Sequence, residues 1–128
     1  MRLVIYAAVA GGGALGAMLR YSVSLLAGAS FFGINGPLAT LSVNVIGIGV
    51  MGLLAGLVAG GLILPEVWHA FFAVGLLGAL TTFSSFALDA GTLVHKQGLD
   101  IAMLHVGLCL CLTLGSFALC YWLVSMPS

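Results

Sequence analysis

The stretch LGALTTFSSFALDAG, Leu77 to Gly91, decides how this chain is read. Four hydroxyl residues, Thr81, Thr82, Ser84 and Ser85, sit together there with Phe83 and Phe86 among them. The sequence on either side is apolar. A glycine, weak helix formers and hydroxyls that compete for backbone groups predict a discontinuous helix at the centre of a hydrophobic span. Backbone unwound at membrane depth must be buried in protein or serve an ion. Its carbonyls suit a cation and its N–H groups suit an anion.

Composition sets the surroundings of this stretch. The chain has 128 residues, of which 62% are hydrophobic and 5% charged. Soluble domains carry about 25% charged residues, so this chain has too little polar surface for a water-facing globule. It reads as an all-α membrane protein, a single four-helix domain. About 20 apolar residues cross the hydrocarbon core as a helix. Four stretches fit, at about 3–27, 37–62, 67–94 and 99–124. Turn chemistry separates them: GASFFGINGP, ILPE and HKQG. The short alternating segments of a transmembrane β-barrel are absent. The first apolar run continues past Gly16 to Ala27, too long for a typical signal-peptide core, so a retained helix is expected.

Basic and acidic residues balance at three each, which gives no charge excess for nucleic acid. Arg2 lies on the N-terminal side, whereas Lys96 and the deeper Arg20 lie toward the other. Such a flat distribution does not set one orientation. A chain without such a bias can insert both ways, and two opposite copies can then pair. Cys109, Cys111 and Cys120 all fall in the fourth stretch, an odd set that is no disulfide framework. Cys109 and Cys111 face different sides of a helix, and apolar packing is their default reading.

GGGALG at Gly11–Gly16 and GIGVMG at Gly47–Gly52 both match G-x-G-x-x-G. Neither has the acidic residue about 20 positions on that a dinucleotide site needs. The glycines read instead as helix contacts. Gly12 with Gly16, Gly52 with Gly56, and Gly56 with Gly60 are each four apart, and small residues at that spacing let backbones approach in lipid. One unit of four thin, tightly packed helices has little interior, so a pathway is expected between copies.

Polar residues inside a membrane usually face protein or water. Thr40 and Asn44 share one face of the second helix, and His105, Cys109 and Thr113 share one face of the fourth. Arg20 and Asp89 both fall near one membrane face and are expected to approach each other. Each residue also has a plain structural reading: a hydroxyl bonded to its own helix, an amide joining two helices, a packed phenylalanine. Three polar faces on three helices favour a shared site. Ring edges of Phe83 and Phe86 are the positive part of the aromatic quadrupole, and Asn44 offers an amide donor. This chemistry holds a small anion without a fixed ammonium to trap it.

At these residues the sequence resembles the Fluc/CrcB family of fluoride channels, over essentially the whole chain. GGGALGAMLRY (11–21) resembles the first-helix motif, TLSVNVIG (40–47) the second, and GLLGALTTFSSF (75–86) the third-helix break. The resemblance implies a dual-topology antiparallel homodimer in lipid. It implies two pores, passive export of fluoride, and a bacterial or archaeal cytoplasmic membrane. Phe83, Phe86 and Asn44 match pore positions. Thr40 and Ser85 join that pathway, and Arg20 matches a vestibule position. Backbone carbonyls of Gly78 and Thr81 match positions that hold a structural sodium ion at the dimer centre. Family members carry hydroxyl or aromatic polar residues along the fourth helix, where this chain has His105, Cys109 and Thr113.

A small multidrug exporter is also an antiparallel pair of four-helix chains, but it needs a carboxylate in the first helix, and this one has none. A purely structural subunit has no need of a polar break. No nucleophile and base are placed as an enzyme requires.

Overall fold

The computed structural model describes residues 1–28 and 35–126. The expected GASFFGINGP turn lies largely outside the described residues. Helix α1 is Arg2–Gly28, α2 is Asn35–Ala59, and α3 covers residues 66–80. Helices α4, Phe83–Gln97, and α5, Leu99–Ser125, complete the chain. Among the described residues there is no strand. Four segments are long and apolar enough to cross a membrane: Arg2–Leu26, Gly36–Ala59, Glu66–Gln97 and Leu99–Ser125.

Local chemistry sets the ends. Helix α2 stops at Ala59 rather than running to Leu62. Leu62 N–H donates to the Leu57 carbonyl and Gly61 N–H to that of Val58, with Gly61 at φ 107°. These are the two bonds of a Schellman stop, whose left-handed position favours glycine. Gly98, at φ 97°, turns the chain from α4 into α5, its N–H donating to the Leu93 and Val94 carbonyls. Residues 66–80 are not uniform. Glu66–His69 is α-helical, Ala70–Leu77 is a π-helix, and Gly78–Leu80 is α-helical again. AFFAVGLL carries no feature that marks this wider winding in the sequence.

Packing falls into two intimate pairs, α1 with the π segment of α3 and α2 with α5. Both are made by glycine. A Cβ on Gly12 would collide with the Phe71 carbonyl oxygen, and one on Gly16 with that of Leu76. On the other pair, a Cβ on Gly52 would collide with the Phe117 carbonyl, and one on Gly56 would lie 2.6 Å from that of Tyr121. Backbone thus rests on backbone, where dispersion and weak Cα–H···O contacts act in place of a hydrophobic drive. Gly60 lies past the end of α2, in the turn. Among the described residues one side-chain hydrogen bond crosses the second pair, from Ser116 Oγ to the Val45 carbonyl at 2.9 Å.

Candidate functional site

The two pairs meet at Thr81 and Thr82. Both are extended, at φ −91°, ψ 137° and φ −149°, ψ 132°. An unbroken helix would carry Thr82 N–H to the Gly78 carbonyl. Here Thr82 N–H donates to Asn44 Oδ1 at 3.1 Å, and Asn44 Nδ2 donates to the Thr82 carbonyl at 3.3 Å. The buried amide from α2 therefore clamps the backbone of one residue from both sides. Because that N–H needs an acceptor, the amide orientation is fixed by its partners. One Nδ2 proton remains for another acceptor.

Thr82 also starts α4. Its Oγ1 accepts from Ser84 N–H at 3.1 Å and Ser85 N–H at 3.5 Å, as an N-cap does. Its hydroxyl lies 2.6 Å from Ser84 Oγ. Thr81 Oγ1 turns back to the Leu77 carbonyl at 2.8 Å. The N–H groups of Thr82, Ser84 and Ser85 all have partners outside the helix ladder. The carbonyls of Gly78, Leu80 and Thr81 lose those helical donors.

Arg20 reaches this junction from α1. Its Nε donates to the Ala79 carbonyl at 3.3 Å and a terminal nitrogen to Ser85 Oγ at 3.4 Å. It forms no ion pair with Asp89, contrary to the sequence expectation. Counting residues along a span gives depth. The packing of α1 on α3 decides which groups Arg20 faces. Asp89 Oδ2 is instead buried without a hydrogen-bond partner.

A cleft of about 160 Å³ opens beside the junction. Asn44, Thr81, Thr82, Phe83, Phe86, Cys109 and Thr113 line it, with Ile48 and Leu110. A much smaller recess, lined by Arg20, Thr40, Ser85 and neighbours, shares Asn44 and Thr82 as a common wall. Of the expected pathway residues, Asn44, Phe83, Phe86, Cys109 and Thr113 line the cleft, Thr40 and Ser85 line the recess, and His105 lines neither. Phe83 and Phe86 have ring centroids 5.2 Å apart, tilted by 52°. Phe86 is 9% exposed and Phe83 74%. His105 stacks on Phe86 at 6.1 Å, with ring planes 26° apart. Its Nε2 lies 3.4 Å from Cys109 Sγ. Thr113 Oγ1 donates to the Cys109 carbonyl at 2.6 Å, so its proton is spent within α5. Gly78 stands apart on the open face of the chain.

Sequence reasoning did not single out the double role of Thr82. A threonine followed by hydroxyl residues at the start of a helical segment is an N-cap signal and was available. Its clamp by Asn44, from 38 residues away, had no local signal. Ile48 and Leu110 carry none either.

Four apolar spans, three of which line a cleft of aromatic rings, hydroxyls and one amide, define a multi-pass membrane protein. Residues 7–125 match the family described as "CrcB-like protein, Camphor Resistance (CrcB)". The chain belongs to the CrcB family. It is 48% identical over 115 residues to the fluoride-specific ion channel FluC of Shewanella amazonensis, covering 88% of this chain and 90% of that one. Against the fluoride-specific ion channel FluC of Aeromonas salmonicida identity is 43%, over 91% of this chain and 93% of the relative. The protein of the same name from Rhodospirillum centenum is 40% identical, over 90% and 89%. This is a family of ion channels, not of enzymes.

Proposed function

We propose that this chain is a fluoride-selective channel that exports fluoride passively across the cytoplasmic membrane and so lowers cytoplasmic fluoride. The carrying observation is the cleft shared by Asn44, Phe83, Phe86, Cys109 and Thr113. Fluoride is small and strongly hydrated. A route for it must replace water with several weak contacts, so that the ion both enters and leaves. Ring edges and the spare Asn44 N–H have the required sign and strength. No Lys or Arg lines that cleft to trap the anion. Arg20 sits in the adjoining recess with Thr40 and Ser85, where it draws anions inward.

The working unit in this reading is an antiparallel homodimer in lipid, with a pore along each side of the interface. Phe83 at 74% exposure and the open face at Gly78 support it, because the cleft needs a second wall. Carbonyls of Gly78 and Thr81, released from the helix ladder, supply the hard oxygen donors that a sodium ion takes. Two junctions facing each other would hold it between the chains as a structural ion.

Fluoride efflux from liposomes containing the purified chain, with chloride as the control anion, tests the function. Rapid fluoride release with chloride retained is expected. Equal release of both, or of neither, overturns it.

A further inference from the structure

The geometry points to a one-ended aromatic girdle, made by Tyr6, Trp68 and Trp122, that seats in the headgroup interface of the bilayer and so sets the depth of the cleft. It rests on the four apolar spans and not on the passage of fluoride.

The three rings are exposed and belong to three different helices, Tyr6 at the start of α1, Trp68 at the start of α3 and Trp122 near the end of α5. Glycine contacts give their relative heights. A Cβ on Gly12 would meet the backbone of Phe71 and Leu76, and one on Gly75 the backbone of Val9 and Gly13. That register puts Tyr6 level with Trp68. The bond from Arg20 Nε to the Ala79 carbonyl carries the same register to the junction. Tyr6 precedes Arg20 by fourteen residues, about 21 Å of helix. On the other pair, a Cβ on Gly47 would meet the Thr81 side chain, while Gly52 and Gly56 face Phe117 and Tyr121. The junction is therefore level with Leu112 of α5. Trp122 lies ten residues further on, about 15 Å. Half of a hydrocarbon core is also about 15 Å. With the junction at the midplane, all three rings fall at the edge of the core.

Their chemistry suits that edge. Rings with an apolar body and a polar tip collect where hydrocarbon meets headgroups. The indole bodies are held in place: Trp68 stacks on Phe72 at 5.8 Å, and Trp122 meets Tyr121 edge-on at 5.9 Å. Among the described residues the two indole N–H groups and the Tyr6 hydroxyl have no hydrogen-bond partner, which leaves each tip for headgroup oxygens and water. Arg2, Glu66 and His69, all exposed, stand at or near this level. Between it and the junction no span carries a charged side chain. At the opposite end the described residues hold no Trp or Tyr, since Tyr21 lies beside Arg20 at the height of the junction. One end alone is anchored, and depth is measured from it. In the opposed pair proposed above, two chains anchored at opposite faces would bring their junctions to one depth.

Trp68→Phe and Trp122→Phe each leave a single tryptophan. The purified variants are placed in phosphatidylcholine vesicles brominated either close to the headgroup or close to the chain end, because bromine quenches indole emission at contact. For each remaining tryptophan the shallow bromines should remove the larger fraction of emission. Tyr21→Trp, made with both Trp→Phe changes, sets the one indole at the height of the junction, where the deep bromines should quench more. Dominant deep quenching of Trp68 or Trp122 overturns the girdle. So does an absence of quenching by either lipid, which would mean that protein covers the ring, a second copy included. In Tyr21→Trp, anything but dominant deep quenching overturns the depth assigned to the cleft. Should a Trp→Phe variant fail to elute as its parent does, the parent's two tryptophans together must show the shallow preference. Fluoride efflux does not enter the result, so a failure of the proposed function leaves the girdle standing.

Discussion

The α1–α3 and α2–α5 contacts and the junction at Thr81–Ser85 are held together by opposite means. In the paired helices, glycines let one backbone lie directly on another, and among the described residues a single side-chain bond, from Ser116, crosses the α2–α5 pair. At the junction, Asn44, Arg20 and Thr82 do nearly all the joining through hydrogen bonds across long sequence separations or at a cap. The difference follows from the solvent. Lipid gives apolar helices no reason to associate beyond close packing, so the scaffold depends on shape. Backbone freed from a helix in the same medium must find partners, so the junction depends on polar satisfaction. Shape tolerates no added atoms. Polar partners can be exchanged, and in the function proposed above that makes the junction the place for an ion.

Substitution separates the two regions, and the largest effect is expected in the scaffold. Gly12→Val places a side chain on the Phe71 carbonyl with backbone behind it, and should leave no monodisperse protein on size-exclusion chromatography. Gly13→Ala, where nothing lies within 4 Å, should leave the yield unchanged. Normal yield of Gly12→Val would break the contrast.

The junction should instead lose transport while keeping the fold. Phe86→Ile retains apolar bulk but removes the ring edge and the stack with His105. Fluoride efflux should fall at least about tenfold, equivalent to about 1.4 kcal/mol of barrier, with elution unchanged. Undiminished efflux from folded Phe86→Ile and Phe83→Ile would return both rings to packing.

Asn44→Asp sharpens the clamp. It removes the donor to the Thr82 carbonyl and sets an oxygen against it. A stability loss of about 1–3 kcal/mol is expected, read as a lower unfolding temperature, together with reduced efflux. Thr82→Ala removes the cap and should cost about 1 kcal/mol in the same measurement, whereas Thr82→Ser should largely retain it. Arg20→Gln should have the smallest effect on flux. Its deficit should shrink as salt rises, since the screening length falls from about 30 Å at 0.01 M to about 10 Å at 0.1 M. A salt-independent deficit would mean that Arg20 acts through its bonds to Ala79 and Ser85 rather than through its field.

Particular residues show how far the sequence could be read. Long apolar runs between turn signals were enough to place four spans, because crossing length is a property of composition alone. Thr40 with Asn44 and His105 with Cys109 and Thr113 were legible as faces, because helical spacing fixes them. The early stop of α2 was legible in principle from Gly60 and Gly61, but the apolar run past them masked it. The π winding of Ala70–Leu77 was not legible, nor was the partner of Arg20.

By itself the sequence determined that this is an all-helical membrane chain with polar groups at the depth of Thr81–Ser85. Hydrophobicity and helical period are local, additive properties, and local properties can be counted along a chain. Only the tertiary structure decided which groups share a cleft, that Asn44 spends its amide on Thr82, and that Arg20 turns from Asp89 toward Ala79 and Ser85. Those outcomes depend on how closely glycines let whole helices approach, and on which freed backbone groups are then within reach of a side chain from another span.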